Sequence, residues 1–304
     1  MDGALTDPLV ERVLARLGLR AAPAPTRAGL AAVYRAWCAH VPWDNVQKRI
    51  TVVAGRTPLA GAYPSEFFEN FLRDGTGGTC WPSSGGLHAL LAHLGFPARR
   101  AVAAMGHDRS FRVPTHGTTI VRLDGEDLFV DTSILHVEPL ALRDGARLDD
   151  PAHRVRVERS GGEWLIWWTL HSRDTEMVCL LLDDEVPLAQ FLERYEASRV
   201  TGFSYFLTLT KNLPGGILSV SGDRRTFRDA SGAITQKPSW IAHGCSSRRA
   251  VSAQRSWIGC HRMSSIQIGR CCRRVAKARP RASSSRADRS GPQRARARAR
   301  PAHA

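Results

Sequence analysis

Up to Gly95 apolar residues recur at helical spacing, and from Ala98 they alternate in short β-branched runs. This change of period at one point restricts the chain to a fold in which helices come first and a small sheet follows. Asp7-Pro8 opens the first helix, with Val10, Val13, Leu14 and Leu17 on its apolar stripe and Gly18 closing it. Leu30, Val33, Tyr34 and Trp37 form a second stripe that ends near Val41-Pro42, because the residue before proline leaves the helical region. Ser65 to Phe71 predicts a third helix. After Gly75, Gly77 and Gly78, a fourth runs from about Cys80 through Leu87, Leu90, Leu91 and Leu94 to Gly95.

The alternating runs cover 99–105, 117–123, 127–131, 153–158, 164–169 and 177–182, separated by turn residues, as in a small antiparallel sheet or barrel. A third section begins with a helix over 187–199, on Leu188, Phe191, Leu192 and Tyr195, followed by strands at 217–220 and 225–228. The expected fold is therefore α+β: a helical section over 1–95, a small antiparallel sheet or barrel over 96–184 and a third section of helix and strands over 185–240. The β pattern of the third section breaks off at Gly232–Pro238. Residues 241–304 are rich in Arg, Ala, Ser and Pro and have no periodicity, as expected of a disordered basic tail or of a shifted reading frame in a GC-rich gene.

That tail accounts for the charge. It holds 16 of the 43 Lys and Arg residues but one of the 28 acids, Asp288, so residues 1–240 carry 27 of each sign. The formal charge of +15 thus implies nucleic-acid contact only through the tail, non-specifically, and the body offers no basic face for it. No run approaches the roughly 18 apolar residues of a membrane span, and the first residues lack a signal-peptide pattern, so a cytoplasmic protein is expected. The body holds Cys38, Cys80 and Cys179, too dispersed for a disulfide framework and without metal-ligand spacing; no metal is expected.

Cys80 carries the chemistry. It lies between a glycine pair and the start of a helix, in TGGTCWPSSGG. Glycines let backbone N–H groups approach a substrate, and a helix N-terminus favours a thiolate. A buried structural cysteine is the competing reading of this motif taken by itself. His116 and Asp131 favour the nucleophile. Between them, Asp124-Gly125 is a two-residue hairpin turn. It sets pairs that sum to 249, placing Ser133 opposite His116 and Asp131 as a diagonal neighbour on the same face. A thiol, an imidazole and an orienting carboxylate in series form a nucleophilic constellation. His107 and His136 have no acid so placed.

Cys80, His116 and Asp131, in this order on helices followed by a small barrel, resemble the arylamine N-acetyltransferase family. Pro42-Trp43-Asp44-Asn45 is similar to its P-F-E-N segment and Gly77-Gly78-Thr79-Cys80 to its R-G-G-x-C motif, the likeness covering residues 5–238. The resemblance implies a helical first domain over 1–95 carrying the nucleophile, a β-barrel over 96–184 carrying the histidine and aspartate, and a partial α/β lid over 185–240. It also implies a cysteine-protease-like core and a two-step exchange through an acyl-cysteine. Acetyl-coenzyme A would be the co-substrate, entering between barrel and lid, and a small amine the acceptor. No permanently bound cofactor is implied. Departures occur at Thr76, at Trp81-Pro82-Ser83-Ser84 and at Thr132-Ser133-Ile134-Leu135, so the acceptor stays open. A transglutaminase-like or amide-hydrolysing enzyme uses the same three residues, and partition of the acyl-enzyme between water and amine separates the two.

Overall fold

A computed structural model describes residues 4–239. The tail expectation for 241–304 lies outside the described residues.

Proline in the first turn starts α1 (Asp7–Arg16), which buries Leu9, Val10, Val13 and Leu14. In α2 (Arg27–His40) the Thr26 hydroxyl caps the N-terminus by accepting from Gly29 N at 3.2 Å, and Leu30, Val33, Tyr34, Trp37 and Cys38 face inward. A two-residue strand, β1 (Trp43–Asp44), precedes α3 (Val46–Val53). Then come α4 (Pro64–Asp74), burying Phe67, Phe68 and Phe71, and α5 (Cys80–His93). α1, α2, α4 and α5 share one core, centred on fully buried Trp37, whose ring stacks on Phe67 at 5.8 Å and meets Phe68 edge-on at 6.1 Å, whereas α3 packs Val46 and Ile50 on Leu207. α5 is apolar nearly all round, because it lies between this core and the sheet.

The sheet follows: β2 (Ala98–Gly106), β3 (His116–Leu123), β4 (Glu126–Val130), β5 (Leu140–Ala141), β6 (Arg147–Leu148), β7 (Val155–Ser160), β8 (Glu163–Thr169) and β9 (Glu176–Asp183). All pairings are antiparallel, in the order β5-β4-β3-β2-β9-β8-β7-β6, and the strands curl into a nearly closed barrel. Its interior holds Ala101, Ala103, Ile120, Phe129, Val157, Ile166 and Cys179. The β3–β4 turn has Asp124 and Gly125 both at positive φ, 51° and 78°, as a type I′ turn requires, and Leu123 pairs with Glu126 as expected.

The third section comprises α6 (Leu188–Ala197), two short 3₁₀ turns, β10 (Thr208–Leu213), β11 (Gly216–Ser221), β12 (Arg224–Asp229) and β13 (Ile234–Pro238). Its sheet runs β1-β10-β11-β12-β13. The structure corrects two expectations here. The strand pattern does not break off at 232–238, since Ile234 to Pro238 pair with Arg228 to Arg224. The first 95 residues are not all helical, since Trp43 and Asp44 leave the helices to pair with Thr210 and Leu209. That excursion ties the third section to the Gly77-Gly78 segment, since Trp43 also bridges Gly78.

Candidate active site

The Gly77-Gly78 turn is built from below by β1. Asp44 is 1% exposed, and its carboxylate accepts from Gly77 N at 2.7 Å and Val46 N at 2.9 Å, while Asp44 N donates to Gly78 O at 3.2 Å. One side chain therefore fixes both the turn and the start of α3. The approach is so close that a Cβ on Gly77 would stand 1.7 Å from the Pro42 carbonyl oxygen, which only glycine avoids. Beyond the turn, Thr79 is extended and Cys80 is the first residue of α5, half-buried, its Sγ 3.8 Å from the Thr115 carbonyl oxygen. Leu87, Leu90 and Leu91 anchor the same helix in the core.

His116 begins β3 and Asp131 directly follows β4; both side chains are enclosed, at 2% and 0% exposure. Their Nε2 and Oδ2 atoms are 2.6 Å apart. The expected opposition of His116 and Ser133 does not occur, because β3–β4 pairing stops at Thr119–Val130 and His116 pairs with Ala103 on the other side. The cause is local. Asp131 Oδ1 accepts the backbone N–H groups of Ser133 and Ile134, each at 2.8 Å, and this turn takes the chain off the ladder. The carboxylate still reaches the imidazole, with one oxygen on the turn and the other on the ring.

Other residues hold the acid. From α2, Tyr34 Oη donates to Asp131 O at 2.7 Å and accepts from Asp131 N at 3.1 Å. From α5, Ser84 Oγ donates to Gly117 O at 2.8 Å and lies 3.1 Å from Thr132 Oγ1. Sequence reasoning missed Tyr34, Asp44, Ser84 and Thr132 in these roles. Only Asp44 carried a local signal, in the P-W-D-N segment. The rival histidines stand apart: His107 is exposed in the loop after β2, and His136 is buried against Phe129 and Tyr34, ring centroids at 5.7 and 5.0 Å.

Electrostatics follows the geometry. Burial opposes a charged sulfur at Cys80, but His116, the Gly117 backbone and Lys48 outweigh it and bring the thiol below its ordinary range. Burial likewise opposes a charged His116, yet Asp131 and then Cys80 push the imidazole up. Asp131 is held below the usual carboxylate range in spite of its burial, by His116 and the Ile134 and Ser133 amides. Lys48, on α3, is 3% exposed and donates to Ser198 O and Oγ at 2.7 and 2.9 Å. With Nε2 committed to Asp131, Nδ1 is the ring nitrogen left to exchange a proton with the thiol. The other body cysteines are ordinary buried thiols: burial drives Cys38 up to about 12 and Cys179 well above its usual value. Among the described residues no group of three His, Cys, Asp or Glu side chains could hold a metal ion, and no helix is long and apolar enough to cross a membrane.

A family model described as N-acetyltransferase matches residues 28–209. A solved arylamine N-acetyltransferase from Salmonella typhimurium is 18% identical, with a TM-score of 0.66 over 83% of this chain and 99% of that one. One from Mycobacterium abscessus is 16% identical, with a TM-score of 0.68 over 82% and 94%. One from Mycobacterium marinum, solved in complex with CoA, is 16% identical, with a TM-score of 0.65 over 80% and 89%. No curated protein matches by sequence.

Proposed function

The chain belongs to the arylamine N-acetyltransferase family, and from that membership and the site geometry we propose that it moves an acetyl group from acetyl-coenzyme A to an amine through acetyl-Cys80. The observation that carries the reading is a cysteine on a helix N-terminus beside an enclosed imidazole whose far nitrogen is 2.6 Å from a carboxylate. In the first half-reaction the Cys80 sulfur attacks the thioester carbonyl carbon. The bond to the coenzyme A sulfur breaks, and His116 supplies the proton with which coenzyme A leaves as a thiol. In the second, the amine nitrogen attacks acetyl-Cys80 and His116 takes its proton. The amide then departs and the thiolate is regenerated. The sum is thioester plus amine to amide plus thiol.

Asp131 works through His116, holding the ring with Nδ1 toward the sulfur and stabilising the imidazolium. The first-turn N–H groups of α5 favour negative charge on the carbonyl oxygen as it develops. The 16–19% identity to the solved enzymes and the changed residues around Cys80 leave the acceptor defined only as an amine. The reading includes a cytoplasmic setting, in which the free thiols of Cys38, Cys80 and Cys179 stay reduced.

Alkylation tests the nucleophile directly. Among Cys38, Cys80 and Cys179, iodoacetamide at neutral pH is expected to modify Cys80 first by a wide margin, because the other two are buried thiols held neutral. Mapping the modified peptides checks this. Equal or faster modification of Cys38 or Cys179 would remove Cys80 from its role.

A further inference from the structure

The bond network around Asp131 extends into the third section. Asp131 depends on its own turn: Oδ1 accepts from Ser133 and Ile134, and Leu135 N donates back to Asp131 O at 3.2 Å. The segment leaving this turn is unusual, since Leu135 and Val137 both have positive φ, 54° and 61°. Bulky and β-branched residues avoid that region, so neighbouring groups must hold the backbone there. One such group is Asn212 of β10, whose Nδ2 donates to Leu135 O at 2.9 Å. Its Oδ1 is 3.1 Å from His153 Nε2. Because the amide donates to a carbonyl, its oxygen must accept, which places a proton on His153 Nε2. His153 is seated in turn by Asp150, whose Oδ1 accepts from Ala152 N at 2.7 Å and His153 N at 3.2 Å and lies 3.5 Å from Nδ1. Asn212 and His153 are 9% and 8% exposed.

We propose that Asn212, set in place by His153, is a positioning residue for the Asp131–His116 pair. The proposal rests on Cys80, His116 and Asp131 acting as described above. Loss of the Asn212 donor frees the Leu135 carbonyl, the turn relaxes from its left-handed conformation, and the Ser133 and Ile134 amides move relative to Oδ1. The carboxylate then no longer aims Oδ2 at the ring. Displacements of this size in a positioning group are felt in the chemical step more than in binding. It follows that the third section contributes to the proton chemistry at Cys80 as well as covering the helices.

Asn212→Asp tests this with little change of shape, because it keeps an acceptor for His153 and removes the donor to Leu135 O. His153→Phe removes the group that orients Asn212, and His153→Gln can restore an N–H at the same end. The pH profile of Cys80 alkylation is the informative readout. The charged groups Cys80 senses are His116 and, from α3, Lys48, which these variants keep. Asn212→Asp adds a carboxylate of its own, so His153→Phe, which adds no charge, separates loss of positioning from a change of field. Around His153 the titratable neighbours are Asp150, with His171 at 6.3 Å between ring centroids and His136 beyond it.

In Asn212→Asp and His153→Phe, alkylation is expected to need a higher pH than in the wild type. Acetylation by acetyl-coenzyme A is expected to slow about 10–100-fold, with KM for the thioester unchanged within about twofold. His153→Gln should recover most of the loss. A wild-type pH profile in either of the first two variants overturns the proposal, and so does failure of both to fold, which would make the pair structural. His116→Gln is run beside them. If it too leaves the profile unchanged, the reading of the Cys80 site fails; if it shifts the profile while Asn212→Asp does not, only the role of Asn212 falls.

Discussion

Asp131→Asn is expected to fold normally and to transfer acetyl groups about 10⁴-fold more slowly than the wild type, a loss of about 5.5 kcal/mol of transition-state stabilisation. The direction follows from the hydrogen bonds. Oδ1 accepts from two backbone N–H groups, Ser133 and Ile134, each at 2.8 Å, so the asparagine oxygen must stay there and the amide nitrogen must face His116. An N–H donor directed at Nε2 requires that nitrogen to be bare, which moves the imidazole proton to Nδ1. His116 then meets the thiol with a proton already in place and cannot accept another. The fold survives because Tyr34 contacts only the Asp131 backbone, which the substitution keeps. Single-turnover acetylation measures the effect. A rate within tenfold of the wild type would mean that Asp131 does not orient the base.

A steep loss of stability below neutral pH is the second large effect expected. Burial lowers His136 to about 4 and His171 to about 3, from an ordinary value of 6.5, and neither is more than 6% exposed. As pH falls through 6.5 the unfolded chain takes up protons that the folded chain refuses, so stability falls with pH. Each histidine contributes a slope of about 1.4 kcal/mol per pH unit. By pH 4 the two remove roughly 6 kcal/mol, against a total of about 5–15 kcal/mol for an ordinary domain. Asp131, held low, adds to the loss only once pH drops below the usual carboxylate range. His116, held high, acts on the other side: its contribution is complete below 6.5 and fades as pH rises toward its raised value. Between pH 6.5 and 5 exposed carboxylates scarcely titrate. His88, also lowered to about 4 by burial, adds to the proton uptake there, and Asp44, raised to about 6 by burial, opposes it. Urea unfolding of a variant against the wild type therefore reads one histidine at a time. Proton uptake on unfolding should be about one lower in His136→Phe than in the wild type, since the phenylalanine ring can fill the space between Tyr34 and Phe129. Equal proton uptake in wild type and His136→Phe would show that His136 is not buried neutral.

What the sequence disclosed and concealed divides by the range of the interactions involved. The stripes of α1, α2, α4 and α5, the six long strands of the barrel and the Asp124-Gly125 turn were legible, because each is written in spacing over a few residues. α3 was missed because Lys48 and Thr51 are buried where apolar residues would normally mark the inner face. β10 was missed because TLTKNL looks like a loop and becomes a strand only by pairing with β1 and β11. At the site, Cys80, His116 and Asp131 could be singled out from a helix start and a hairpin register. The register itself failed beyond Val130, where an aspartate-led turn displaced the ladder. Tyr34 and Asn212 had no local signature, since each meets the 131–135 turn from far away in the chain.

The departures around Cys80 acquire a structural sense as well. Ser84 is completely buried and joins α5 to β3 and to Thr132, so the changed segments after Cys80 and after Asp131 meet each other. Trp81 packs edge-on against Phe191 of α6 at 5.0 Å, which carries the third section onto the N-terminal turn of α5. These contacts shape the walls beside the sulfur and leave the Cys80–His116–Asp131 series intact.

The central claim is an acetyl group carried on Cys80, and mass spectrometry of the full chain after incubation with acetyl-coenzyme A, without an amine, tests it most directly. One acetyl group should be gained, mapped to the peptide containing Cys80, absent in Cys80→Ala and lost on adding an arylamine with formation of its amide. An unmodified protein, or an acetyl group on any other residue that the amine fails to remove, would contradict the account.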